Sequence, residues 1–162
     1  MLVKNLEHQH WDAVKKIYEL GISTKTATFA TEIPTWAEWD AKHLPHARLI
    51  CEVDNRVGAW VALHNVENEF SGTGVAEISI YAHPACKGMG LGFVLMEHVI
   101  RQSEENGIWT IQAQIIEENK STIRLHEKSG FRRVGFRERI GAVDGVWHNV
   151  VLFERRSKSV GR

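Results

Sequence analysis

The most restrictive feature of the chain is Lys87-Gly88-Met89-Gly90-Leu91-Gly92, a run with glycine at every second position. Before it lies an extended apolar stretch, Gly74 to Tyr81, which His83-Pro84 ends. After it Gly92, Leu95, Met96, Val99 and Ile100 recur at three- and four-residue steps. That order predicts a strand, a turn, a glycine loop and a helix. At the start of such a helix the first amides have no intrahelical partner, and the dipole adds partial positive charge. Glycine lets a ligand approach this backbone closely, so the loop suits a phosphate or pyrophosphate. The dinucleotide fingerprint G-x-G-x-x-G is not met, because Phe93 or Leu95 occupies its last place, and no G-x-x-x-x-G-K-[ST] occurs.

The rest of the chain reads as one mixed α/β domain over residues 1–156. A strand at 2–6 leads to a helix from about His10 to Leu20, with Trp11, Val14, Ile17 and Tyr18 along one side. Thr35 followed by Glu38 predicts a capping box that opens a second helix. Arg48–Val53 and Val57–Val66 form a hairpin around Asp54-Asn55-Arg56. Strand 75–81, helix 90–106, strand 109–116, helix 120–129 and two closing strands complete a sheet with helices on both faces. Residues 157–162 are expected to be a disordered basic tail. Zero net charge with scattered basic residues argues against nucleic acid as a partner, and no apolar run is long enough to cross a membrane. Cys51 and Cys86 lack metal-ligand spacing, and the histidines show no H-E-x-x-H pattern. No metal is expected, and both thiols are expected to be reduced, in the cytoplasm.

A second block follows the glycine loop. Lys87-x-x-Gly90-x-Gly92 resembles the pyrophosphate signature [Q/R]-x-x-G-x-[G/A] of the GCN5-related N-acetyltransferases (GNAT superfamily), with lysine in the first place. Asn119-Lys-Ser-Thr-Ile-Arg-Leu-His-Glu-Lys-Ser-Gly-Phe131 resembles the segment N-x-x-[AS]-x-x-[LF]-[YH]-E-x-x-G-F of the same superfamily. Ala27-Thr-Phe29, Thr31-Glu32, Pro34, Ala76-Glu-Ile-Ser-Ile-Tyr81, Arg124-Leu-His-Glu127 and Gly145-x-Trp147 are similar to one branch, the phosphinothricin and methionine sulfoximine acetyltransferases.

The resemblance implies the GNAT acyl-CoA N-acyltransferase fold, with a central, mostly antiparallel sheet. It also implies acetyl-CoA as cosubstrate, a small-molecule amine as acceptor and a homodimer. The amides of Lys87, Gly88, Met89, Gly90, Leu91 and Gly92 would hold the pyrophosphate. Ile80, Tyr81 and Ala82 would pair with the pantetheine arm like an added strand. Asn119 is either a contact of that arm or a plain N-cap.

Acetyl transfer to an amine needs a base, an oriented carbonyl and a proton for the departing thiolate. Glu77, in mid-strand on one face with Ser79 and Tyr81, is the expected base, its pKa raised by partial burial. The alternative is an acid paired with an arginine. His126 takes the place of the superfamily's tyrosine acid, or else packs on the sheet and hydrogen-bonds a carbonyl. Phe29, Val75, Ala76 and Glu77 are the expected substrate contacts, with core packing as the other reading of Phe29 and of Trp36.

The branch often has arginine where this chain has Ala76, and lysine and aspartate at Val143 and Asn149. Arg48 and Arg139 are the cations that could replace them. A peptide acetyltransferase and a noncatalytic acetyl-CoA-binding domain are the alternative functions. The presence of both Glu77 and His126 favours an enzyme.

Overall fold

A computed structural model describes residues 1–66, 72 and 74–162. Seven strands form one sheet: β1 (Leu2–Asn5), β2 (Leu49–Val53), β3 (Arg56–Asn65), β4 (Val75–Ala82), β5 (Thr110–Ile116), β6 (Arg132–Val143) and β7 (Val146–Arg156). Their spatial order is β1-β2-β3-β4-β5-β7-β6, and every pairing is antiparallel except β4 with β5. The helices are α1 (Trp11–Ser23), α2 (Trp36–Lys42), α3 (Leu91–Glu105) and α4 (Lys120–Lys128). The mixed sheet, its mostly antiparallel pairing and its helices on both faces are as expected. No helix among the described residues is long and apolar enough to cross a membrane.

Period-two alternation along the strands builds two cores. Leu49, Cys51, Val61, Leu63, Ala76, Ile78, Ile111, Ala113 and Phe153 meet the apolar stripes of α3 and α4 on one face. Trp11, Val14, Ile17, Trp39, Trp60 and Ala62 join α1, α2 and the sheet on the other, with Tyr18 and Tyr81 packed against them. Ile78 and Ile80 therefore lie opposite Glu77 and Tyr81, as the alternation predicts.

Local chemistry sets the element ends. Thr35 caps α2 by accepting the Glu38 amide at 3.2 Å, while the Glu38 carboxylate accepts the Thr35 amide at 3.1 Å. The β2–β3 turn is Asp54-Asn55, one residue shorter than expected. Both residues have positive φ, 51° and 61°, which lets a two-residue turn match the strand twist. Helix α1 continues past Leu20 through Gly21, where a Cβ would stand 2.8 Å from two ring carbons of Tyr81. The missing side chain lets helix and strand meet.

The expected tail makes contacts of its own. Ser157 is buried, its hydroxyl donates to Glu104 at 2.8 Å, and the Ser159 and Val160 amides donate back to it. Arg156 donates to the carbonyls of Val160 and Gly161. Basic composition predicts solvation, but here the arginine satisfies its own tail.

His43 closes α2. Its ring stacks on Trp39 at 4.2 Å, and Nδ1–H donates to the Trp39 carbonyl at 2.7 Å. Burial lowers its pKa to about 4, opposed by the carbonyl bond and assisted by Lys42, His64 and Arg48. Between pH 6.5 and about 4 the unfolded chain binds a proton that the folded chain refuses, so stability falls as pH drops through that window. At about 1.4 kcal/mol per unit, the contribution is roughly 3 kcal/mol. His43→Asn retains an N–H for the carbonyl and does not titrate. It should flatten this part of the plot of urea midpoint against pH; a variant curve parallel to wild type would clear His43.

Candidate active site

Strand β4 pairs with β5 only at Val75–Thr110, Ala76–Ile111 and Glu77–Gln112. Beyond Glu77 the two strands part, while β3 follows β4 to Ala82 and β7 follows β5 to Ile116. The β5-facing backbone groups of residues 78–82 are left without a strand partner. A cleft of about 640 Å³ opens there, walled by Ile78, Ile80, Tyr81 and Ala82 on one side and Ala113, Gln114 and Ile115 on the other. Asn119, Thr122 and His126 from α4 and its N-terminal flank also line it, as do Gly21, Thr24, Thr26 and Ala27 from α1 and the following loop.

Lys87, Lys120 and Arg124 are among the lining residues, as is Glu118. The glycine loop continues from Lys87. Gly88 and Gly90 have φ of 79° and 80°, and nothing lies within 4 Å of where their side chains would be. Gly90 is the N-cap of α3 without a side-chain bond, so the amides of Leu91, Gly92 and Phe93 stay open. Gly92 lets α4 approach, since its Cβ would meet Leu125 at 3.0 Å.

Of the predicted cofactor residues, Ile80, Tyr81, Ala82, Lys87 and Asn119 line the cleft, and Gly88 to Gly92 continue beyond its wall. The Leu91 side chain belongs to the core and Met89 is exposed. Asn119 is the N-cap residue of α4 but makes no side-chain cap bond. Tyr81 is stacked with Tyr18 and Trp60, and burial pushes its hydroxyl up to about 12, with Tyr18 adding and a Thr28 bond opposing.

Glu77 stands where the strands part, at the last pair of the seam and not among the residues that line the cleft. Gln114 Nε2 donates to Oε1 at 2.8 Å, Gln112 Nε2 to the same oxygen at 3.3 Å, and His64 Nε2 lies 3.3 Å from Oε2. Burial raises the carboxyl pKa, but the bonds from His64, Gln114 and Gln112 and the charge of His64 outweigh it. The net shift is downward, against the expected rise, because the carboxylate form collects three donors. The arginine-paired alternative is not found either.

His126 is buried, edge-on to Phe131 at 4.9 Å, with Nδ1–H donating to the Thr122 carbonyl at 2.8 Å. Nε2 is buried without a partner, and burial lowers the pKa against the carbonyl bond. The carbonyl bond holds the ring by Nδ1 with Nε2 as the open acceptor, and burial works against the protonated form.

The predicted substrate contacts scatter. Ala76 is fully buried on the opposite face, so an arginine at this position would point into the core. Val75 lies at the closed end of the β4–β5 seam, outside the cleft. Phe29 packs over Gly141 and edge-on to His148 at 6.4 Å, and Trp36 stacks on His8. Arg48 is held by Asp40 at 2.6 Å and lies over Trp39. Arg139 sits in a β6 irregularity at φ 47°, its amide donated to Asn149.

Sequence reasoning missed His64, Gln112, Gln114, Glu118, Lys120 and Arg124. The two glutamines were visible as polar alternation in an otherwise apolar strand, Thr110-Ile-Gln-Ala-Gln-Ile-Ile116. His64 becomes visible only once register sets it opposite Glu77. Glu118 reaches toward His148, with Oε1 3.1 Å from Nδ1 but out of line for a hydrogen bond.

The model of the acetyltransferase (GNAT) family matches residues 11–131. The chain belongs to that family. It is therefore an acetyltransferase, and its parted strands and glycine loop lie within or beside the matched region. YwnH of Bacillus subtilis, provisionally named a phosphinothricin acetyltransferase, is 31% identical over 96% of this chain and 98% of its own. The phosphinothricin N-acetyltransferase of Streptomyces viridochromogenes is 30% identical over 88% and 80%. Among solved structures, yncA of Salmonella typhimurium, determined with acetyl-CoA, superposes with a TM-score of 0.89 over 99% of this chain and 96% of that one, at 22% identity. That likeness shows the fold.

The tautomer of His126 is measurable. At pH 6.5, where a free histidine is half protonated, its ring nitrogens in ¹⁵N NMR should give the neutral Nδ1–H pattern. An imidazolium pattern at that pH would reverse the assignment.

Proposed function

We propose that this GNAT acetyltransferase moves the acetyl group of acetyl-CoA to the primary amine of a small amino-acid analogue of the phosphinothricin or methionine sulfoximine kind. The observation that carries this reading is the parting of β4 and β5 immediately after Glu77. It leaves strand backbone free to pair with an extended amide-bearing arm, in a cleft that Lys87, Lys120 and Arg124 help to line, with Glu77 at the last pair of the seam. The acetyl-CoA in the similarly folded Salmonella structure and the names of the two bacterial relatives support the same ligand and acceptor class.

In this reading the open amides at Gly90–Phe93, with Lys87, Lys120 and Arg124, bind the phosphates. Residues 78–82 align the arm, and Asn119 donates to it. Glu77 takes one proton from the ammonium, which frees the nitrogen lone pair to attack the thioester carbonyl; the C–S bond then breaks, nitrogen gives its second proton to solvent, and the thiolate gains one from solvent. Because its pKa is lowered, Glu77 is ionised throughout the neutral range, so every molecule carries the base in the right form. His126 keeps its Nδ1–H on the Thr122 carbonyl and offers Nε2 only as an acceptor.

We assign residues 1–161 to one domain. The free thiols Cys51 and Cys86 fit a reducing cytoplasm. Two copies pair through the β6–β7 hairpin, where Val134, Phe136, Ile140, Val146 and Trp147 form an exposed apolar set.

Thiol release from acetyl-CoA with phosphinothricin, methionine sulfoximine, methionine sulfone, a polyamine and a short peptide tests the function. Turnover with the analogues is the expected result, and turnover with the peptide alone would replace the acceptor class. Glu77→Gln should lower kcat by roughly a hundred- to ten-thousand-fold and leave acetyl-CoA affinity intact. Gly90→Val should weaken that affinity in calorimetry, since valine is strained at positive φ and its side chain enters the space for the phosphates. Wild-type values in either variant would remove that residue from its role. Light scattering should give twice the 18.4 kDa chain mass; a monomer at high concentration would leave the hairpin patch unexplained.

A further inference from the structure

We propose that His64 is the positioning residue of this site: its Nε2–H holds Oε2 of Glu77 while two glutamine amides hold Oε1, leaving one lone pair of Oε2 to receive the proton of the amine. The inference rests on the assignment of Glu77 as the base. His64 and Glu77 are direct partners in the β3–β4 register, so their side chains are neighbours on one face. The Nε2–Oε2 separation is 3.3 Å, and the two side chains are 21% and 19% exposed.

The tautomer is set by the far side of the ring. His64 Nδ1 is buried and has no partner among the described residues. A proton there would be a buried donor without an acceptor, which costs more than an unpaired lone pair on a nitrogen that never carried one. The ring proton therefore sits on Nε2, facing the carboxylate. The ring is also braced from behind, edge-on to His43 at 6.0 Å and 88°, and His43 is itself fixed on the Trp39 carbonyl.

A carboxylate offers about four lone-pair positions. Gln112 and Gln114 fill the two on Oε1, and His64 fills one on Oε2. The base position is thereby narrowed to one side of one oxygen. The titratable groups around the pair are few among the described residues. On β3 there is His64 itself, and at the end of α2 there is His43. On β7, in register with Gln112, Glu154 is already paired with Arg132. Strand β5 contributes only amides. Among the described residues no lysine or arginine is paired with Glu77, and His64 is the one partner of Oε2.

Carboxyl titration by ¹³C NMR of the glutamate-labelled chain tests this without any acceptor, with the Glu77 signal identified by its absence in Glu77→Gln. In His64→Leu the Glu77 midpoint should move upward, because burial remains and a donor is lost. In His64→Gln, which offers an amide N–H at similar reach, it should stay near wild type. The ¹⁵N ring shifts of His64 in the wild-type chain should report the Nε2–H tautomer at neutral pH. A His64→Leu midpoint at the wild-type value, or an Nδ1–H tautomer, would overturn the proposal. If the leucine variant does not fold, the glutamine variant and the wild-type tautomer decide. Full turnover by Glu77→Gln would instead end the base assignment, and the titrations would stand apart from it.

Discussion

Strands β4 and β5 are parallel neighbours in the sheet, and α3 crosses between them, as a parallel pair requires. They hold each other over only the first residues of each, and the surroundings of the site depend on how short that seam is. Had the pairing continued to Ala82, the backbone of residues 78–82 would be spent on β5 and no cleft would separate Ile80 from Ala113. Had it been absent, the half built on β1–β4 and the half built on β5–β7 would share no hydrogen-bonded join. Glu77 is the last residue of the seam, so the carboxylate is as rigid as the sheet while the backbone beyond it is free for a ligand.

The electrostatics of the region come from burial resolved by named partners. Near the cleft, burial drives His43 and His126 toward neutrality and Tyr81 away from ionisation. Glu77 goes the other way because three side chains donate to it. A lowered pKa makes it a weaker base in driving force but keeps it fully available. The site thus favours a constant supply of carboxylate over a well-matched proton affinity.

Much of this was legible in the chain. Alternation in residues 75–82 placed Glu77 and Tyr81 on one face, and the glycine loop marked the start of α3. Thr35 and Glu38 announced the capping box. The features that stayed hidden were consequences of register and of tertiary company. Nothing local says that Ala76 faces the α3 core, that His64 lies opposite Glu77, or that Asp54-Asn55 closes the turn alone. The sign of the Glu77 shift was misjudged for the same reason: burial is foreseeable from a strand pattern, whereas donors arriving from two other strands are not. Arg156 finds its acceptors in residues that composition alone assigns to solvent.

The shortness of the β4–β5 seam also bears on how the chain finds its fold. Strands β2, β3 and β4 join neighbours in sequence, and β6 and β7 form a hairpin, so both sets of pairings close short loops. The seam must close over the whole of α3 and gains few hydrogen bonds in return, which places it late in assembly by loop-closure entropy. In amide exchange the protons of Val75–Glu77 and Thr110–Gln112 would therefore report the docking of two half-sheets rather than the melting of either.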